Sequence, residues 1–218
     1  MVAQRRALQV RELEVSEQET SKDEVIHRDE NGLHLGGDRP TVIRIDGIRE
    51  WRVEGKLHRE GDRPAVVNLT SREDGKQEWW TNGFLHREKD LPAVIRADGS
   101  KEWWVEGLLH RERDCPAVYF SDGSRMWWQE GKLHREGDRP AVYFSDGSQM
   151  WFSNGILHRE GGGPAIVWAD GSEEWWANGL RHREGGLPAV NRPYCKEWWL
   201  NGERYKEETT SGLDASRS

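Results

Sequence analysis

Paired aromatic residues return at a fixed interval along this chain. Trp79-Trp80, Trp103-Trp104 and Trp127-Trp128 stand 24 residues apart, Trp151-Phe152 and Trp175-Trp176 keep the spacing, and Trp198-Trp199 follows one residue early. A period of this size predicts a repeat protein, in which each short unit buries its apolar side against the next. It also bears on function. Nearly every reactive residue type occurs several times, whereas catalysis needs one asymmetric constellation of groups. The expectation is a non-enzymatic protein with no cofactor and no metal site.

One unit runs from Asp98 to Ser121, and the next opens on the same phrase at Asp122. His34, His58, His86, His110, His134, His158 and His182 mark its centre, each followed six residues later by Pro. Every unit carries two turn signals, an Asp-Gly (98-99, 122-123) and an Asn-Gly or Glu-Gly (82-83, 106-107). Such dipeptides between apolar runs suit type I′ hairpin turns, which need positive φ at both central residues. The six residues between Gly99 and Glu106 read as one Trp-bearing strand. Pro116 belongs at the start of the strand Ala117 to Ser121, because proline cannot donate to a ladder. A shorter extended piece carries the His-Arg-Glu.

These signals predict an all-β fold: an elongated open array of stacked antiparallel β-hairpin repeats, about seven units of 24 residues, over residues 30–205. Two strands per unit at about 4.8 Å each give a rod of roughly 65–70 Å. A propeller is disfavoured, since a blade needs about 40 residues. Residues 1–29 read as an N-terminal arm or cap, partly disordered, and 206–218 as a disordered polar tail.

Comparison among units sorts the positions. The first aromatic never changes: Trp51, Trp79, Trp103, Trp127, Trp151, Trp175 and Trp198. These are expected to form the structural core, joined by the Val or Ile two residues after each Pro. The second is Arg52, Trp80, Trp104, Trp128, Phe152, Trp176 and Trp199. Adjacent strand residues face opposite sides, and a position that tolerates Arg is wetter. Trp80, Trp104, Trp128, Phe152, Trp176 and Trp199 are therefore the candidate partner-binding face, partly open. His58, His86, His110, His134, His158 and His182 are assigned to a structural ladder, in which His donates to a backbone carbonyl and the adjacent Arg pairs with an acid of the neighbouring unit.

The net charge of −7 argues against nucleic acid, which calls for a dense basic stripe. No apolar run is long enough for a bilayer or an export signal, so a membrane role is disfavoured. Two cysteines make no disulfide framework. A cytoplasmic setting is the expectation.

The phrase Trp-x-x-Gly-x-x-His occurs at Trp80-Gly83-His86, Trp104-Gly107-His110, Trp128-Gly131-His134 and Trp176-Gly179-His182. With the Asp-Gly and the period, it resembles MORN (membrane occupation and recognition nexus) repeats, from about Asn31 to Tyr205. The chain departs from them in two places: Ser100-Lys101-Glu102 stands where MORN units carry Tyr-x-Gly, and Arg-Glu follows the His where they carry Gly-x-Gly. The resemblance implies stacked β-hairpins, scaffolding, protein binding and dimerisation. The expected function is a repeat scaffold that binds a macromolecular partner, a protein, through an aromatic face, with a homodimer through an open edge strand as a second contact. Two alternatives stand beside it: a glycan- or choline-binding module, and an antitoxin or immunity-type inhibitor.

Overall fold

The computed structural model describes residues 24–26, 39–68 and 75–209. Among these, sixteen strands form one antiparallel sheet, open at both ends, in which hydrogen-bonded neighbours follow one another along the chain. At about 4.8 Å per strand the sheet extends ~70 Å. The fold is the all-β hairpin array that the period predicts. Each unit supplies two main-sheet strands, such as Arg125–Met126 and Val142–Tyr143 in the unit that opens at Asp122, paired Arg125↔Tyr143 and Met126↔Val142. Arg125–Met126 also pairs with Val118–Tyr119 of the preceding unit.

The Trp-bearing strand is not continuous. Lys101–Glu102 lies in the main sheet, whereas Trp104–Val105 pairs with Leu108–Leu109 in a separate two-stranded side hairpin. The break falls on Trp103. Its N–H donates to the Ala117 carbonyl at 2.8 Å, while its own carbonyl accepts from the His110 N–H at 3.1 Å. The residue thus hands the ladder from one sheet to the other, and the chain turns a corner there. Six such side hairpins line the array among the described residues.

The two turn signals make different turns. At Glu106-Gly107 both φ angles are positive, 50° and 81°, as a two-residue type I′ turn requires. At Asp122-Gly123 only the glycine is positive, at 89°. The Gly123 N–H bonds the Phe120 carbonyl and the Phe120 N–H bonds the Ser124 carbonyl, which closes a three-residue loop. The type I′ expectation fails here because the Asp122 carboxylate accepts the Ser124 N–H at 2.9 Å and holds the aspartate in an ordinary conformation. A third turn, absent from the sequence reading, follows the His-Arg-Glu: Arg113 and Asp114 both have positive φ, 59° and 55°.

The core is narrow. All seven first-position Trp are buried, with Val42, Val94, Val118, Val142, Ile166 and Val190; Val66 is only half-buried. The alanine after each Pro, from Ala65 to Ala189, has no exposed surface at all. Buried serines tie the end of each unit to its beginning: Ser100, Ser124 and Ser148 accept backbone N–H bonds from Ser121, Ser145 and Ala169.

The C-terminal boundary moves. Glu203–Thr209 is a strand paired along Cys195–Leu200, with a bulge between Trp198 and Trp199, so residues 206–209 belong to the array and not to a tail. This charged segment closes the edge left open by the last repeat. At the other end, Glu24–Ile26 pairs with Val42–Arg44. The remainder of the 1–29 arm, residues 30–38 of the array and the tail from 210 lie outside the described residues.

Candidate functional site

Each first-position Trp is the floor of a polar stack. The guanidinium carbons of Arg59, Arg87, Arg111, Arg135, Arg159 and Arg183 lie 3.5–4.1 Å from the ring centroids of Trp51, Trp79, Trp103, Trp127, Trp151 and Trp175. A planar cation stacked this closely gains from the negative face of the ring. The same guanidinium grips the preceding unit. Arg111 Nε and Nη2 donate to both oxygens of Asp90 at 2.7 and 3.0 Å, and its Nη1 donates to the Pro116 carbonyl. Arg87, Arg135 and Arg159 hold Asp62, Asp114 and Asp138 alike. Hydrogen bonds from these arginines keep all four aspartates below the usual carboxylate pKa. The indole of the next unit completes the joint, as Trp103 Nε1 donates to the Asp90 carbonyl at 3.0 Å.

The histidines form a ladder, but with the opposite hydrogen-bond sense from that expected. The Nδ1 atoms of His58, His86, His110, His134, His158 and His182 accept from the backbone N–H of Asn82, Glu106, Glu130, Asn154, Asn178 and Asn201 in the following unit. Nδ1 therefore carries no proton, and Nε2 is free to donate, as it does to Glu88 from His86 and to Glu136 from His134. The next turn residue bonds to the same unit: the Gly107 N–H donates to the Leu85 carbonyl at 2.9 Å. Histidine and leucine together dock the turn of each side hairpin onto its predecessor. Among the described residues no cluster of histidine, cysteine and acids could hold a metal ion.

The second-position aromatics are partly open, apart from Trp128. Trp80, Trp104, Phe152, Trp176 and Trp199 are half-buried, and Trp128 is buried. Trp104, Phe152 and Trp176 pack against the hydrophobic cluster around Met126 and Ile166. The corner at the first Trp is the cause: adjacent residues there do not share one straight strand, so both rings point toward the core. Their indole N–H groups reach buried glutamates one residue before each pair, Trp104 Nε1 to Glu102 at 2.9 Å and Trp80 Nε1 to Glu78 at 3.0 Å. In the central units Met126 and Met150 replace this glutamate, and Phe120 and Phe144 replace the arginine that Arg96 exemplifies. Arg96 pairs with Glu102 at 2.5 Å. Trp128 Nε1, facing methionine at the acid position, is buried with no partner. Burial pushes the pKa of Glu174 up, but Arg181, Arg192 and two indole N–H groups more than reverse this, and the carboxylate stays charged.

More open to solvent are the residues next to these aromatics. Phe84, Leu108, Ile156 and Leu180, each directly after a turn glycine, are about half exposed, and Val105 and Leu200 extend the row. Side chains of this row touch the turn glycine of the next unit, Phe84 Cδ1 lying 3.1 Å from where a Gly107 side chain would begin. The sequence carries a signal for this row that the aromatic pairs overshadow: an apolar residue after the Asn-Gly or Glu-Gly, interrupted by Lys56 and Lys132. A shallow groove of about 540 Å³ runs on the His-Arg-Glu side, lined by His110, Arg111, Trp128, His134 and Arg135 among others. No model of a known protein family matches the chain, and no curated protein matches it.

Proposed function

We propose that this chain is a non-enzymatic, MORN-like β-repeat scaffold, cytoplasmic, that binds a protein partner across the outer face of its side hairpins. The observation that carries the reading is the aliphatic and aromatic row at Phe84, Leu108, Ile156 and Leu180, which are 58, 49, 49 and 49 % exposed. Single exposed apolar residues are ordinary, but two neighbouring pairs in one row, Phe84 with Leu108 and Ile156 with Leu180 on either side of Lys132, mark an interaction surface. Interfaces draw most of their affinity from a few such anchors. The half-buried indoles, with their N–H groups engaged by glutamate, offer less open ring surface for a sugar or a quaternary ammonium. Five of the seven residues in the edge strand Glu203–Thr209 are charged, a composition that resists edge-to-edge pairing.

The experiment uses a substitution that the fold already accepts. Lysine occupies the same place in the row at Lys56 and Lys132. Phe84→Lys, Leu108→Lys, Ile156→Lys and Leu180→Lys combined are expected to leave the circular dichroism spectrum and melting cooperativity intact while abolishing partner capture from host lysate. Undiminished capture by the folded quadruple variant sinks this reading.

A further inference from the structure

Among the described residues, Arg183 of the stacked ladder lacks the acid that Arg87, Arg111, Arg135 and Arg159 hold. In four units a bidentate Asp fills the Nε and Nη2 side of the fork. At Arg183 the corresponding residue of the preceding unit is Gly162. Everything else in the joint is kept. The guanidinium carbon lies 3.5 Å over Trp175, Nη1 donates to the Pro188 carbonyl at 2.9 Å, and Trp175 Nε1 donates to the Gly162 carbonyl at 3.1 Å. That last bond matches the 3.1 Å bond from Trp151 Nε1 to the Asp138 carbonyl, so the loop backbone is in the same place. Gly162 has φ of 75°, the left-handed region that Asp138 also occupies at 52°. A Cβ at Gly162 would meet nothing within 4 Å. Only a carboxymethyl group separates this joint from its neighbours.

We propose that Arg183 and Trp175 form a carboxylate-binding slot, in which an exogenous carboxylate takes the place that Asp138 takes beside Arg159. The fork is preorganised by the ring beneath it and by the Pro188 carbonyl, so little rotamer freedom remains to be lost when the anion docks. Two parallel N–H···O bonds suit a planar carboxylate. At Arg111 burial pushes the pKa down but the hydrogen bond and charge of Asp90 reverse the shift; at Arg183 burial prevails over the field of Glu173. The other charged groups nearby are engaged or turned outward. Lys206 sits over Trp198 and pairs with Glu208, and exposed Glu184 lies 3.7 Å from His182 Nε2. The slot does not depend on the outer hairpin face and would survive the failure of that assignment.

The test follows the Arg183 Nε–Hε resonance by NMR while acetate, N-acetyl-aspartate amide or inorganic phosphate is added at constant ionic strength. A saturable shift with the carboxylates is expected. Tighter binding of the aspartate compound points to an acidic side chain of a partner, and equal binding to a free carboxylate. Gly162→Asp, a residue the other units accept at this place, should move the resonance toward those of Arg111, Arg135 and Arg159 and remove the response. No saturable shift, a shift that persists unchanged in Gly162→Asp, or tighter binding of phosphate than of either carboxylate overturns the proposal.

Discussion

The guanidinium carbon of Arg111 lies 3.8 Å over the Trp103 indole while its nitrogens hold Asp90 of the preceding unit in a two-pronged grip. One side chain thus joins a core ring, a loop carbonyl and the neighbouring repeat. Arg111→Lys keeps the charge but loses the fork and the stacking plane. It is expected to cost about 1–3 kcal/mol in chemical denaturation, as breaking a hydrogen-bonded charged contact does. Trp103→Ala removes the floor itself and should cost about 3–5 kcal/mol.

The two second-position indoles Trp104 and Trp128 should respond differently to the same change. Trp104→Phe leaves buried Glu102 without its indole donor and is expected to cost about 1–3 kcal/mol. Trp128→Phe removes an N–H that has no partner, and Phe152 already fills this place one unit later, so the cost should be smaller or nil. Equal losses in urea melts would refute the distinction.

Glu102 and Arg96 should behave as one unit. Glu102→Met alone strands a half-buried guanidinium and an indole N–H, whereas Glu102→Met with Arg96→Phe recreates the pair found at Met126 and Phe120. The double variant is expected to recover most of the loss, with a coupling energy of about 1–3 kcal/mol in a double-mutant cycle.

Arg113 sits at φ of 59° where the equivalent residues Gly137, Gly161 and Gly185 are glycines. A side chain in that region is strained by roughly 1 kcal/mol, so Arg113→Gly should raise the melting temperature by a few degrees. Asp114→Gly, one residue on, removes the partner of Arg135 and Arg139 and should lower it.

Acid should loosen the joints between units. Asp62, Asp90, Asp114 and Asp138 have folded pKa values below the ordinary one, so the unfolded chain takes up protons first as pH falls. Their contribution is complete above about pH 4 and drains away below it, as pH falls through the lowered values. Replacing all four by Asn should flatten the dependence of melting temperature on pH in that window.

Much of this was written in the residues. The invariant first Trp announced the core because one environment recurs seven times, and Asn-Gly announced its turn because few residues accept two positive φ angles. The corner at Trp103 was hidden, since the strands on either side of it are two residues long, too short to show a period. With the corner hidden, strict alternation put the second aromatics on a partly open face, and it did not foresee that Trp128 is buried or that Trp104, Phe152 and Trp176 also pack against the core cluster. The histidine bond was misread because sequence does not show which ring nitrogen holds the proton. The joint replacement of Glu and Arg by Met and Phe stands in the residues as well, but that the two positions touch comes from the structure.

The docking of each side-hairpin turn runs in one direction only: Gly107 and Glu106 donate N–H groups backward to Leu85 and His86, never forward. The two ends of the array are therefore chemically unequal. Trimming repeats from the start would bare amide donors, and trimming from the finish would bare a carbonyl and an imidazole lone pair, which water hydrates readily.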